Sequence, residues 1–325
     1  MKKPAAVGID VGGTKTLCIL VDEKCGVLEE IKFKTSPDEG RDQFTETLLK
    51  SVKRLERAAG KHKREIAAIG VGFAGLVDEE KLKVKQSPNL VCLENYPVGK
   101  HLKEAIPGAK IIIGNDVQLG VYGEHRLGAA VGCAHVIGVF FGTGVGGAAI
   151  IGDRLHLGAS GLGGQIGCLL AQPVGGREAA LSHGIIDRIA SKAAIASEAL
   201  AMASKEWAPF LRKKVGSDMS KVGWGVLRRA IEHGDSRIEE MLGARMRVVG
   251  IALSNVVNFL NPEMVVLGGG LIDEMPKVIV PELEKGLREY LVPEVGAALK
   301  VKPAKLKGLA VALGAAHKAL KTVDL

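Results

Sequence analysis

Ala5-Ala6-Val7-Gly8-Ile9-Asp10-Val11-Gly12-Gly13-Thr14-Lys15 carries the first apolar run of the chain and stops it on a glycine pair. An apolar run of this length, bounded by glycines, reads as a buried strand. Thr16–Val21 and Val27–Lys34 follow as further strand-like segments, so Gly12 and Gly13 turn one strand into the next. Backbone N–H groups in such a turn point outward without a side chain in the way, which suits a phosphate. Asp10 ends the first strand. A carboxylate there can hold Mg²⁺, directly or through water, while the Thr14 hydroxyl and Lys15 meet phosphate oxygens. Capping the turn is the plainer role for the same Asp.

The motif has a second copy. Val11-Gly12-Gly13 recurs as Val145-Gly146-Gly147, an offset of 134 (145 minus 11), again with apolar strands before and after it. Self-similarity on this scale predicts two related domains facing a cleft, each offering a glycine turn. In that register Asp10 falls opposite Gly144, so the halves share a scaffold but not the carboxylate. Gly70/Gly72/Gly75 and Gly142/Gly144/Gly147 both fit G-x-G-x-x-G. A dinucleotide fingerprint needs a helix directly after the glycines, and Gly147 is followed by the strand-like Ala-Ala-Ile-Ile. No G-x-x-x-x-G-K-[ST] occurs, which removes the P-loop. A third glycine run, Gly268-Gly269-Gly270, follows the short apolar segment Met264–Leu267.

Around these turns the chain alternates. Phe44, Leu48, Val52, Leu55 and Ala59 recur at helical spacing, and the basic residues between Lys53 and Arg64 read as that helix's solvated face. Ile66–Gly72 and Ile111–Ile113 read as strands, the second running into Gly114-Asn115-Asp116 and a helix from Val117 to about Leu127. Helices are predicted over 185–203, over 237–260 with Leu242, Met246, Val249 and Leu253 on one face, and over 308–320. Hairpins followed by alternating helix and strand give a mixed sheet covered by helices. An Asp at the position of Asp116 can take a proton from a substrate hydroxyl while Asn115 orients the substrate. The same pair also reads as a helix N-cap.

The 325 residues correspond to about two domains. Lys+Arg 44 against Asp+Glu 36 gives +8, which favours anionic ligands but is too diffuse for nucleic acid. Five scattered cysteines without a Cys-x-x-Cys pair predict reduced thiols in a cytoplasmic protein rather than a metal knuckle. The opening MKKPAAVGIDVGG lacks the pattern of a signal peptide, and no uncharged apolar stretch is long enough to span a membrane.

Taken in order, the motifs resemble the ROK family of bacterial sugar kinases and repressors, over nearly the whole chain. Ile9 to Lys15 is similar to the family's first phosphate motif, and Phe141-Gly142-Thr143-Gly144-Val145-Gly146-Gly147 to its second. Ser87-Pro88-Asn89-Leu90 resembles the sugar-side loop, Gly114-Asn115-Asp116 the catalytic motif, and Val266-Leu267-Gly268-Gly269-Gly270 the nucleotide-side turn. The resemblance implies an α/β fold of two ribonuclease-H-like (actin/hexokinase-type) domains, each a mixed sheet with flanking helices, around a central cleft. Residues 1–114 with 304–325 would form the small domain and 115–303 the large one. It further implies transfer of the γ-phosphoryl group of ATP, with Mg²⁺ at Asp10, to a hexose hydroxyl, glucokinase-like and at the 6-position by default. Asp116 would be the base. Asn89, Asn115, Asp116 and Gln165 would meet the sugar. Gly12, Gly13, Thr14, Lys15, Gly142, Thr143, Gly144, Gly146 and Gly268 to Gly270 would meet ATP. A homodimer is the family expectation.

The chain also departs from the family. Gly164-Gln165-Ile166-Gly167-Cys168 stands where Gly-Glu-x-Gly-His is usual, and the cysteine-rich zinc segment is reduced to Gly175-Gly176-Arg177-Glu178-Ala179-Ala180-Leu181. No structural zinc is therefore expected, and two sugar-binding carboxylates become Gln165 and Leu181, with Glu178, three positions before Leu181, a candidate to compensate. A charged hydrogen bond contributes about 1.5–3 kcal/mol against about 0.5–1.5 for a neutral one, so sugar recognition is altered rather than abolished. Three functions compete: a kinase for glucose or for another sugar or amino sugar, a non-catalytic sugar sensor or repressor, and an activator-type ATPase working through an interfacial cluster. A phosphate motif that begins by Asp10 leaves no room before it for a repressor's DNA-binding segment. Asp116 favours the kinase, since a pure ATPase has no acceptor hydroxyl to deprotonate.

Overall fold

The computed structural model describes residues 2–172 and 175–323. The chain up to Gly128, together with the chain from Leu309 onward, forms one compact unit, and Ala129–Gly308 forms a second. The divisions expected near 114 and 304 thus fall later, because the helix Asp116–Leu127 packs against the helix Ala310–Leu320 and stays with the first unit.

In unit 1, β1 (Lys3–Val11), β2 (Lys15–Asp22), β3 (Val27–Lys34), β4 (Arg64–Phe73) and, after a small hairpin of β5 (Leu76–Asp78) and β6 (Lys83–Gln86), β7 (Lys110–Asn115) are the strands. The five long ones form a sheet in the order β3-β2-β1-β4-β7. β2 runs antiparallel to β1 and β3, while β1, β4 and β7 run parallel. The helix Gly40–Lys61 buries Phe44, Leu48, Val52, Leu55 and Ala59, the stripe its sequence predicts, against Val7, Ile9, Ile69 and Val71. Lys53, Arg54, Arg57 and Lys61 stay exposed.

Alternate residues of a strand face opposite sides, and the other side of this sheet is lined by glycine. A Cβ on Gly8 would stand 2.0 Å from the Ala312 carbonyl oxygen, and one on Gly70 2.0 Å from that of Ala315. The helix Ala310–Leu320 therefore lies with its backbone directly on β1 and β4. Gly314 and Gly123 let the same helix meet Asp116–Leu127 equally closely, a Cβ on Gly314 falling 1.9 Å from the Leu119 carbonyl oxygen.

Unit 2 repeats the topology strand for strand. β8 (Val136–Phe141), β9 (Val145–Ile151), β10 (Arg154–His156), β11 (Met264–Gly268) and β12 (Lys300–Pro303) lie in the order β10-β9-β8-β11-β12. The antiparallel and parallel pairings match those of unit 1. The internal copy is real, but its register differs from the sequence reading. Ladder pairs Val11↔Thr16 and Phe141↔Val145 close the two turns, which makes Phe141 the counterpart of Val11, an offset of 130 (141 minus 11). Gly142-Thr143-Gly144 is the second turn, and Gly146 and Gly147 already belong to β9. Asp10 then corresponds to Phe140, so the second half still lacks the carboxylate.

The core of unit 2 is the helix Ser236–Leu260, with Leu242, Met246, Val249 and Leu253 buried, packed on Pro276–Glu289, an element the sequence reading missed. The helix expected over 185–203 is two, Ile186–Ala190 and Lys192–Ser204, because Ser191 sits in extended conformation (φ −68°, ψ 157°). Among the described residues no helix is long and apolar enough to cross a membrane.

The close helix–sheet approach makes a stability prediction. Gly70→Val forces a side chain into backbone and should cost at least the usual overpacking penalty of about 1–3 kcal/mol, read as a lower urea midpoint. Gly60→Ala, in a helix and with nothing within 4 Å of the added Cβ, should be neutral or slightly stabilising.

Candidate active site

The carboxyl ends of parallel strands are where open α/β sheets bind ligands. In unit 1 those ends coincide, with Val11 paired to Phe73 and Phe73 to Asn115, and Asp10 to Gly72 and Gly72 to Gly114. Asp10 on β1 and Asp116, the first residue after β7, thus flank β4 at a position that carries no side chain. A Cβ on Gly72 would stand 3.4 Å from the Cα of Asp116. Both carboxylates are half-buried.

Their chemistry follows from that placement. Burial and then the negative charge of Asp116 push the Asp10 carboxyl up to about 7, against a partial pull downward from Lys15. Burial also raises Asp116, while hydrogen bonds from the Val117 N–H and the Asn115 amide counter it. Asn115 takes the cap role foreseen for it and a second one, holding Asp116. Its Oδ1 accepts from the Gln118 N–H at 3.0 Å as the helix N-cap, and its Nδ2 donates to Asp116 Oδ1 at 3.0 Å and to the Gly75 carbonyl at 3.1 Å. The Val117 N–H adds a second donor to Asp116 Oδ1 at 2.9 Å. The Asn115 amide is therefore spent within the protein, and what it orients is Asp116.

The first glycine turn lies beside this pair. The Gly12 N–H closes it on the Lys15 carbonyl at 3.1 Å. Thr35, the residue after β3, holds it from outside. Its hydroxyl donates to the Gly12 carbonyl at 2.7 Å, accepts from the Thr16 hydroxyl at 3.0 Å, and its N–H donates to the Thr14 carbonyl at 3.1 Å. With its carbonyls held, the turn leaves Gly13 and Thr14 to present their N–H groups, and the side chains of Thr14 and Lys15 are exposed. Asn89 is exposed next to the turn, its Cβ 3.1 Å from the place a Cβ on Gly13 would take. Its loop is tied down by Ser87, whose hydroxyl donates to the Ala74 carbonyl at 2.5 Å.

In unit 2 the second turn is closed by the Gly142 N–H on the Gly144 carbonyl at 2.8 Å, and Thr143 and Gly144 are exposed. Asp187 accepts the Val145 N–H at 2.8 Å. Gly146 lies in β9, and Gly147 makes room for Ile166, a Cβ there standing 2.4 Å from the Ile166 side chain. Gly268 lies under the Phe140 ring, Gly269 (φ +88°) turns β11 into the short helix Gly270–Glu274, and Gly270 abuts Trp224. Gln165, Cys168, Glu178 and Leu181 are exposed. Among the described residues no three His, Cys, Asp or Glu side chains gather as metal ligands. Thr35 and Asp187 escape sequence reasoning, since each acts on a turn distant in the chain.

The sequence pattern of the ROK family matches residues 6–322. The glucokinase of Thermotoga maritima is 28% identical over 319 residues, covering 97% of either chain. The N-acetylglucosamine repressor of Shigella flexneri is 26% identical over 279 residues, 86% of this chain and 66% of that one. Among solved structures, the ROK family glucokinase from Streptomyces griseus in complex with glucose and AMPPNP superposes with a TM-score of 0.81 at 26% identity, over 98% of this chain and 99% of that one. The fold is the actin-like, two-domain α/β fold.

The raised Asp10 carboxyl fixes a pH signature. The group binds its proton more tightly folded, near 7, than its ordinary value of 3.8 allows. Its contribution to stability is therefore full below about pH 4 and fades as pH climbs through about 7. Urea unfolding in EDTA should show Asp10→Asn losing less stability than the parent over that window, ending more stable at about pH 8 and nearly equal at about pH 3.

Proposed function

The chain belongs to the ROK family, and on that premise we propose that it is an ATP-dependent sugar kinase. It transfers the γ-phosphoryl group of MgATP to a hexose hydroxyl, the 6-hydroxyl of glucose by default. The observation that carries the reading is the Asp10–Asp116 pair beside an outward-facing glycine turn, with Asp116 oriented by Asn115. Asp116 takes the proton of the acceptor hydroxyl, whose oxygen attacks the terminal phosphorus, and the bond to the bridging oxygen of ADP breaks. Val117 and Asn115 hold Asp116 Oδ1, which leaves Oδ2 to receive the proton. Gly13, Thr14, Lys15, Thr143 and Gly144 supply N–H, hydroxyl and ammonium donors for phosphate oxygens. Gly268 to Gly270 serve the nucleotide side.

Two half-buried carboxylates, with the charge of Asp116 adding to the proton affinity that burial gives Asp10, fit a divalent cation, which prefers one or two carboxylates plus phosphate oxygens. Asp10 is the residue to hold Mg²⁺, directly or through water. When bound, Mg²⁺ supplies positive charge against the phosphates of ATP.

Asn89 and Gln165 are assigned to the sugar. Gln165, Cys168 and Leu181 replace the family's charged or imidazole groups, and this supports a second reading, a kinase for another sugar or an amino sugar. Kinship to the Shigella flexneri repressor favours a third, a non-catalytic sugar sensor. The family's homodimer and a cytoplasmic setting complete the proposal.

The test is ADP formation from MgATP with glucose, N-acetylmannosamine, N-acetylglucosamine, fructose and allose offered separately. At least one should raise turnover well above background; if none does, the kinase reading fails. Asp116→Asn and Asp116→Ala should bind MgATP normally and lose about 10²–10⁴ in kcat. Activity retained in both would mean the base lies elsewhere.

A further inference from the structure

The segment 187–192 reaches the second glycine turn twice. Asp187 Oδ1 accepts the Val145 N–H at 2.8 Å, and the Lys192 N–H donates to the Gly142 carbonyl at 3.2 Å. The second contact exists because the predicted helix breaks at Ser191, which frees the Lys192 N–H from the helical ladder and aims it at the turn. The first explains a glycine. A Cβ on Gly144 would stand 2.8 Å from Asp187 Oδ1, so the carboxylate is seated in a gap that this glycine leaves open, while Gly167 beside it gives room to the Val145 carbonyl, 2.1 Å from the place of its Cβ.

We infer that Asp187 is a positioning residue for the phosphoryl donor, holding the second turn in the shape that presents its free N–H groups. The inference rests on the reading of the protein as an ATP-dependent kinase. Of the four N–H groups from Gly142 to Val145, that of Gly142 is taken by Gly144 and that of Val145 by Asp187. Those of Thr143 and Gly144 remain for an anion, together with the exposed Thr143 hydroxyl. A carboxylate is the stronger acceptor for Val145, since hydrogen bonds to ionised groups are shorter and about twice as strong as neutral ones. It also places negative charge beside the site of a phosphate. The first turn shows the contrast, being held by the neutral hydroxyl of Thr35. Asp187 thus acts in two opposite senses, its hydrogen bond favouring the donor nucleotide and its charge disfavouring it.

Two variants separate these senses. Asp187→Ala removes the anchor, while Asp187→Asn keeps an acceptor oxygen and removes the charge. MgATP binding is measured by calorimetry without sugar, and KM for MgATP and for the best sugar by steady-state kinetics. For Asp187→Ala, Kd and KM for MgATP should rise roughly tenfold, the scale of one charge-assisted hydrogen bond, with the sugar KM unchanged. For Asp187→Asn, both MgATP constants should equal or fall below those of the parent. Unchanged MgATP binding in Asp187→Ala overturns the inference, as does an equal rise in the sugar KM or an Asp187→Asn variant as impaired as the alanine. Should Asp187→Ala fail to fold, the asparagine variant decides alone, and weaker MgATP binding by it overturns the inference. A parent that binds MgATP but phosphorylates no sugar defeats the kinase reading, while the calorimetric comparison still judges Asp187.

Discussion

Asp10 and Asp116 repel one another, and the sheet of unit 1 keeps them together regardless. Each is fixed at the carboxyl end of a parallel strand, on either side of β4, where Gly72 brings no side chain of its own. Such a pair cannot relax by moving apart without breaking strand pairing. It relaxes chemically, by binding a proton, as the upward displacement of Asp10 under burial and then the charge of Asp116 expresses, or by binding a cation. The arrangement stores a demand for positive charge beside the first glycine turn.

The two units share one topology and differ in what it carries. Unit 1 carries both acids and a turn held by Thr35, while unit 2 carries a turn held by Asp187 and Lys192, with Phe140 at the position of Asp10. Each turn pairs polar groups within the protein, Gly12 with Lys15 and Thr35 in one and Gly142 with Gly144 and Lys192 in the other. The glycines therefore have distinct duties. Gly12 and Gly13 shape a turn, Gly144 leaves space beside a carboxylate, Gly72 admits the Val311 side chain, and Gly8 and Gly70 admit a helix backbone.

Much of this was legible in the chain. The strand ending at Asp10, the buried stripe from Phe44 to Ala59 and the strand-to-helix junction at Asn115-Asp116 all follow from local pattern, which is the part of structure that periodicity and capping chemistry govern. The two readings of Asn115-Asp116 proved compatible, because the cap residue and the oriented acid are adjacent members of one hydrogen-bonded set. The internal repeat was visible but misregistered, since identical Val-Gly-Gly words were aligned where strand pairing instead matches Val11 with Phe141. Thr35 and Asp187 were invisible because nothing in a linear pattern tells which distant side chain will reach a turn. The break at Ser191 was hidden for the same reason, its motive being a bond to Gly142.

The helix Ala310–Leu320 covers β1 and β4 yet follows the whole of unit 2 in the chain. A nascent polypeptide therefore exposes the glycine-lined side of its first sheet throughout the synthesis of the second unit, and only then receives the segment that seals it. Closure of unit 1 is a contact of very long sequence separation, which makes it slow and late. Until that moment β1 and β4 form an open apolar surface of the kind that chaperones protect and that aggregates exploit.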